Sequence, residues 1–163
     1  MSEIEMTVSA LAIDERTHTP VVLLREKEGT RMLPIWIGPS EASSIAIELA
    51  GRKFQRPLTH DLLRTVIDGL GARVPRIAIV ELREKTYYAK VFLERESEVL
   101  SIDARPSDCI ALALRTGSPI FVREDLLREE DGAMEPLTSE ESMERLQKKL
   151  EEMDPDEFGK LWM

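Results

Sequence analysis

Polar side chains with catalytic or ligand-binding chemistry are concentrated where three helices are predicted to begin. A helix start presents unpaired backbone N–H groups and the positive end of the helix dipole, which suits phosphate or carboxylate. The candidate side chains at these starts are Ser40, Glu41, Arg56, Thr59, His60, Asp61, Asp103, Arg105, Ser107 and Asp108. We expect them to form one site if the fold brings the three starts together.

The carboxylates and the histidine at these starts are candidates for metal binding and catalysis. Asp103 and Asp108 lie five residues apart and could share a hard cation such as Mg²⁺ or Mn²⁺, with Glu41 as a further ligand. His60 could transfer a proton near neutral pH. The predicted catalytic residues are His60, Asp61, Asp103 and Asp108.

The remaining polar residues at the helix starts are candidates for substrate binding. Guanidinium groups bind phosphate oxygens through two parallel hydrogen bonds, and hydroxyl groups at a helix start can add to them. The predicted substrate-binding residues are therefore Arg56, Thr59, Arg105 and Ser107.

Each of these residues also has a purely structural explanation. An acid in the first turn of a helix satisfies free N–H groups, and capping alone accounts for it. Ion pairs could pin the loops instead, Arg105 to Asp103 and Arg56 to Asp61. His60 could be a partly buried histidine with both ring nitrogens satisfied. The case for a site depends on all three helix starts meeting in space.

Familiar catalytic signatures are absent from the sequence. It contains no glycine-rich phosphate loop, no His-Glu-x-x-His and no Gly-x-Ser-x-Gly. Two histidines are too few for a histidine-rich metal centre. The single cysteine, Cys109, excludes an internal disulfide, and its apolar surroundings indicate a buried small side chain.

The distribution of charge leaves nucleic acid open as a partner. The net charge is −9, but residues 1–122 hold 17 acids and 16 bases, and the acidity is concentrated in residues 123–163. No basic stripe with interleaved aromatic residues is present. The densest basic patch is formed by Arg52, Lys53, Arg56 and Arg64, and a solvated rim explains it more simply.

Apolar periodicity and turn residues predict an α+β fold with a mixed, strongly curved, barrel-like sheet and helices packed on it. Hydroxyl N-caps and closing glycines bound three helices, within 38–51, 57–71 and 105–117. The third helix is apolar all round over 109–114 and should be central. Pro34 places its strand at an edge or a bulge. The predicted strands are 4–13, 20–25, 32–37, 77–82, 87–93, 99–102 and 119–122.

Two parts are predicted along the chain, an α+β domain over 1–124 and an acidic loop with C-terminal helices over 125–163. The tail helices should pack on the domain or on a second subunit, which makes a homodimer possible. No apolar run approaches the ~20 residues that a bilayer needs. The N-terminus is acidic where a signal peptide would be basic, so we expect a cytoplasmic protein.

Three segments resemble the bifunctional nuclease domain family. They are Leu33-Pro-Ile-Trp-Ile-Gly38, Arg56-Pro-Leu-Thr-His-Asp61 and Ile102-Asp-Ala-Arg-Pro-Ser-Asp108, and the opening strand with 19–24 is similar as well. The resemblance covers about residues 4–124. It implies a small bacterial stand-alone member that hydrolyses phosphodiester bonds of DNA or RNA. It implies no role for any individual residue.

Three functional hypotheses follow. The first is a nuclease assisted by a divalent metal, in which His60 moves a proton and the arginines bind phosphate. The second is a non-catalytic module, in which the same residues are caps and the tail contacts a protein partner or a second copy. The third is a module that binds a small anion across the helix starts.

Overall fold

The computed structural model describes residues 2–127, which form an α+β fold of seven strands and three α-helices. The helices are α1 (Pro39–Leu49), α2 (Thr59–Gly69) and α3 (Pro106–Thr116), and a 3₁₀ turn spans Glu124–Leu126. The strands are β1 (Glu3–Asp14), β2 (Thr19–Glu26), β3 (Met32–Trp36), β4 (Arg73–Arg83), β5 (Thr86–Arg95), β6 (Glu98–Ala104) and β7 (Ile120–Arg123). The predicted tail helices lie outside the described residues.

All seven strands belong to one open, mixed sheet. The order is β3-β2-β1-β7-β4-β5-β6, with β4 and β7 parallel and the other neighbours antiparallel. The sheet therefore has two edges, β3 and β6, and is not closed, so the predicted barrel-like form is not confirmed. Pro34 lies in edge strand β3, as the sequence predicts, because proline cannot donate to a ladder.

Helix α3 is the centre of the helical layer. It packs against α1, α2 and strands β4 and β5, and its residues Cys109, Ile110, Ala111 and Leu112 are buried. This confirms the prediction of a central helix. Burial raises the pKa of the Cys109 thiol to about 12, so this side chain behaves as a small apolar residue.

The helix starts differ from the prediction of hydroxyl caps. The N-cap residues are Gly38, Leu58 and Arg105, and none of them makes a side-chain capping bond. In α2 the Asp61 carboxylate accepts from the Leu58 backbone N–H at 2.9 Å instead. The acid in the first turn thus performs the capping that Thr59 was expected to perform.

The apolar stripe of α2 is largely exposed. Of its four members only Ile67 is buried within residues 2–127, whereas Leu63, Val66 and Leu70 face solvent. The helix touches α3 at one side and has no second layer over it in this part of the chain.

Within residues 2–127 no helix has the length and apolar character required to cross a membrane.

The central position of α3 gives a stability prediction. Leu112 is 1% exposed, so Leu112→Ala leaves a cavity and should lower the free energy of unfolding by about 2–5 kcal/mol. Val99→Ala, at a position 62% exposed on β6, should change it by less than about 0.5 kcal/mol. Urea denaturation of both variants checks this. Equal, small effects would contradict the assigned core.

Candidate active site

The three helix starts meet on one side of the molecule. Helix α1 supplies Glu41 and, one turn later, Ser44, which lie on the same helical face. Helix α2 supplies His60, and the start of α3 supplies Arg105 and Asp108. These five side chains, hereafter the polar cluster, are joined by hydrogen bonds across all three helices.

His60 is the centre of the polar cluster and bonds through both ring nitrogens. Its Nδ1 lies 2.7 Å from Ser44 Oγ on α1, and its Nε2 lies 3.0 Å from Asp108 Oδ1 on α3. The His60 side chain is 11% exposed and the residue Ser44 is 9% exposed. The ring is therefore fixed between two partners, with little contact with water.

Arg105 binds the two acids at the outer side of the polar cluster. Its Nε donates to Asp108 Oδ2 at 2.8 Å, one terminal nitrogen donates to Asp108 Oδ1 at 3.2 Å, and the other donates to Glu41 Oε1 at 2.7 Å. Gly38 leaves room for Glu41, since a Cβ there would lie 2.4 Å from its Oε2. The Arg105 side chain is 64% exposed, so the cluster opens to solvent at this guanidinium.

The pKa of Asp108 reflects two opposing effects. Burial disfavours its charged form, but the Arg105 guanidinium and the hydrogen bonds donated by Arg105 and His60 favour it and together outweigh burial. The pKa therefore lies below its ordinary value of 3.8. Asp108 is an ionised, acceptor-only carboxylate at neutral pH.

A buried arginine, Arg115, connects the three helices. The Arg115 side chain, 2% exposed, donates from Nε to Asp61 Oδ1 at 2.7 Å. Its terminal nitrogens donate to the backbone carbonyls of Ala111 and Ser44, at 2.8 and 3.1 Å. One cation thus ties α1 and α2 to α3, and its donors are satisfied as burial requires. The Ser44 backbone is held by the same contact.

Several predicted site residues have structural roles or stand apart from the polar cluster. Asp61 pairs with Arg115 rather than with Arg56, and Arg105 pairs with Asp108 and Glu41 rather than with Asp103. Asp103 is exposed near the end of edge strand β6, opposite Lys90 of β5.

The predicted hydroxyl and guanidinium ligands differ in exposure. Arg56 and Thr59 are exposed immediately before and at the start of α2, and Ser107 is buried in the first turn of α3. Their roles in binding a substrate stay predictions, as does the role of Ser40, which is exposed in the first turn of α1.

The carboxylates of the polar cluster already have a cationic partner. Glu41 and Asp108 bind opposite sides of the Arg105 guanidinium. Within residues 2–127, no group of three or more His, Cys, Asp or Glu has an arrangement that could hold a metal ion. The predicted ligand set of Asp103, Asp108 and Glu41 does not fit a metal in this arrangement without displacement of Arg105.

Sequence reasoning missed Ser44 and Arg115. Ser44 is one helical turn after Glu41, and Arg115 is two turns after Asp108. Helical spacing therefore places Ser44 on the same face of α1 as Glu41, and Arg115 on the same face of α3 as Asp108. Arg115 is also the single charged residue between Asp108 and the end of α3. A charge that faces a helical neighbour in an otherwise apolar helix indicates a buried ion pair.

Three proteins from other organisms are similar to all or part of this chain. A protein of Mycobacterium tuberculosis H37Rv, named only as uncharacterized, is 40% identical over 162 residues, covering 94% of this chain and 97% of the relative. Bifunctional nuclease 1 of Oryza sativa subsp. japonica is 28% identical over 112 residues. Bifunctional nuclease 1 of Arabidopsis thaliana is 28% identical over 111 residues. These matches cover 67% and 66% of this chain and 34% of each plant protein.

A segment similar to about two thirds of this chain thus occurs within longer plant proteins that carry a nuclease name. Residues 22–135 match the bifunctional nuclease domain. The chain belongs to the bifunctional nuclease domain family, which confirms the resemblance and supports a nuclease-like function at the level of the family.

The ionised Asp108 predicts a pH dependence of stability. Because its pKa is lowered in the folded chain, its contribution is complete above the ordinary value of 3.8 and is lost as the pH falls through the lowered pKa. As the pH falls below about 5 toward the lowered pKa, Asp108→Asn should therefore lose less stability than the wild type in urea denaturation. The control Asp68→Asn removes an exposed acid of α2 outside the cluster. An identical acid dependence of wild type and Asp108→Asn would contradict the assignment.

Proposed function

We propose that this protein is a nuclease that hydrolyses phosphodiester bonds of DNA, RNA or both, in the cytoplasm. Family membership supports the reaction class, and the polar cluster supplies groups suited to it. The chain matches about a third of the length of the plant bifunctional nucleases. The activity in their names is therefore a proposal for this chain.

The observation that carries the proposal is the double hydrogen bond of His60. A histidine held between a hydroxyl and an ionised carboxylate has the arrangement of a general base with an orienting acid. A purely capping role for Asp108 would not require His60 to reach it from another helix. The polar cluster thus combines a proton-transfer group with a nearby exposed cation.

Arg105 is suited to bind a phosphate group beside His60. A guanidinium has five N–H groups, and three nitrogens of Arg105 each use one hydrogen on Glu41 or Asp108. Within the described residues, each terminal nitrogen retains one hydrogen for an incoming oxygen. A bound phosphate would lie at the exposed side of the polar cluster.

A divalent cation, Mg²⁺ or Mn²⁺, stays part of the proposal as the expected cofactor. Its predicted ligands are Asp108 and Glu41, with Asp103 on β6. A cation at this position would have to replace Arg105 as the partner of the two cluster acids. Binding of metal and retention of the Arg105 ion pairs are therefore alternatives, which makes the metal requirement directly testable.

The nuclease proposal predicts that cleavage depends on His60. Purified wild type should cleave single-stranded DNA or RNA, and His60→Gln should lower the rate by roughly 10²–10⁴-fold, since general acid–base catalysis contributes about that much. Initial rates on fluorescent oligonucleotides, with Mg²⁺, Mn²⁺ or chelator, measure both the reaction and its metal dependence. Asp103→Asn tests the third predicted ligand.

The control for this assay is Asp68→Asn, which removes an acid from the same helix outside the polar cluster. It should cleave at the wild-type rate. Equal cleavage by wild type and His60→Gln would identify a contaminating nuclease, and no cleavage in any condition would remove the proposal.

A second candidate function, contact with a protein partner, is favoured by exposed apolar side chains. Leu62, Val66 and Leu70 of α2 face solvent, as do Leu100 and Ile102 on edge strand β6. An edge strand also presents unpaired backbone groups to another strand. The same feature supports the proposed homodimer, with the β6 strands of two copies paired.

The homodimer proposal predicts that a charge on β6 separates the copies. Leu100→Glu should convert a dimeric wild type to monomer. The strand pair would bring the new carboxylate close to the identical carboxylate of the second copy, and like charges there are destabilising. Sedimentation velocity measures the mass of each. The control Leu82→Glu introduces the same charge at an exposed position on β4 and should leave the dimer intact. A monomeric wild type would contradict the proposal.

A further inference from the structure

The hydrogen bonds of His60 define which nitrogen carries the proton. The Asp108 carboxylate accepts two hydrogen bonds from the Arg105 guanidinium, the geometry of an ion pair in which a carboxylate only accepts, so the hydrogen in the Nε2–Asp108 contact belongs to His60 Nε2. In the neutral ring Nδ1 is then unprotonated, and the 2.7 Å contact with Ser44 is a hydrogen bond donated by the Ser44 hydroxyl. The lone pair of His60 therefore points at Ser44 Oγ.

This direction determines what His60 can deprotonate. One ring nitrogen is occupied by Asp108 and the other faces Ser44, so a proton that enters the neutral ring in this arrangement comes from the Ser44 hydroxyl. We infer that Ser44 is the nucleophile of the site, activated by His60 and oriented through Asp108. The substrate class, a phosphodiester, rests on the proposed function.

The geometry matches the general arrangement of an activated nucleophile. Nucleophile and base lie within hydrogen-bond reach, and a third group orients the base. In the Ser-His-Asp template the serine faces Nε2 and the aspartate faces Nδ1. Here Nδ1 faces the serine and Nε2 faces the aspartate. The order of donation is the same as in the template, from the serine hydroxyl to the ring and from the ring N–H to the carboxylate.

The surroundings of Ser44 hold it in place and leave one direction for a substrate. Arg115 fixes its backbone carbonyl from the buried side. Exposure rises outward from Ser44 at 9% through His60 to Arg105. A phosphate bound to Arg105 would thus approach the polar cluster from its solvent side, where its charge is balanced by the guanidinium.

The reaction conserves atoms and charge in two steps. Ser44 Oγ attacks phosphorus, its proton passes to His60 Nδ1, and the bond from phosphorus to the leaving sugar oxygen breaks as that oxygen takes the proton. A water molecule then attacks the seryl phosphodiester and gives its proton to Nδ1. The bond from phosphorus to Ser44 Oγ breaks, the serine recovers its proton, and a terminal phosphate remains on the product.

A fluorophosphonate probe tests the nucleophile without nucleic acid. Ser44 Oγ would bond to phosphorus, fluoride would leave, and the Ser44 proton would pass to His60. Mass spectrometry of the digested, labelled wild-type protein should place the probe on Ser44. Labelling should be lost in Ser44→Ala and strongly reduced in His60→Gln. Ser43→Ala is the matched control, because Ser43 donates to the Pro39 carbonyl on the same helix, and should label as the wild type does.

Cleavage assays of the same variants connect the nucleophile to the proposed function. Ser44→Ala should lower the cleavage rate by at least roughly 10³-fold, as for other activated serine nucleophiles, with Ser43→Ala unchanged. Circular dichroism and thermal melting confirm that the variants are folded. Because the probe site is read on the wild type, a misfolded Ser44→Ala does not prevent the test.

The outcomes separate the two proposals. Labelling at Ser44 in a protein that cleaves no nucleic acid would support the nucleophile and remove the nuclease. Cleavage by the wild type that persists in folded Ser44→Ala, with no probe on Ser44, would overturn the nucleophile and keep the nuclease. A wild type that neither labels nor cleaves would overturn both.

Discussion

The Asp108 carboxylate is the group on which the arrangement of the site depends. It accepts hydrogen bonds from His60 on α2 and from Arg105 at the start of its own helix, and Arg105 extends the contact to Glu41 on α1. Because the cation and the histidine together outweigh the effect of burial, Asp108 stays ionised. An ionised acceptor sets the hydrogen on His60 Nε2 and so the direction of every other bond in the polar cluster. The chemistry proposed for the site follows from this one charge.

The fold provides this interaction by making α3 the common partner of α1 and α2. Cys109–Leu112 bury that helix against the sheet, and Arg115 ties both neighbouring helices to it. Asp61 and Asp108 lie at equivalent positions of α2 and α3 but have different partners. Asp61 caps α2 and pairs with Arg115, whereas Asp108 contacts His60, the proposed proton-transfer group.

The parts of the structure that could be predicted from the sequence are those governed by local patterns. Strand alternation, closing glycines and the apolar run of α3 predicted the elements. The polar residues at the helix starts were candidates, and the sequence could not establish that they would meet in space. Pairing partners depend on tertiary geometry, so the sequence did not show that Arg105 pairs with Asp108 and Glu41, or that Asp61 pairs with Arg115. The alternative pairs of Arg105 with Asp103 and of Arg56 with Asp61 are not formed. Ser44 was missed because a serine within an apolar helix gives no local indication that a histidine sixteen residues away will reach it. Whether the sheet closes depends on which strands pair, and that pairing could not be read from local sequence patterns.

The most direct measurement of the central claim is the tautomer of His60 by long-range ¹H–¹⁵N correlation spectroscopy. The chain has two histidines, and exposed His18 serves as the internal reference. In its neutral form the His60 ring should carry its hydrogen on Nε2 and none on Nδ1, a state that Asp108→Asn should disturb while His18 is unchanged. A neutral ring with hydrogen on Nδ1 would reverse the Ser44 hydrogen bond and contradict both the orienting role of Asp108 and the activation of Ser44.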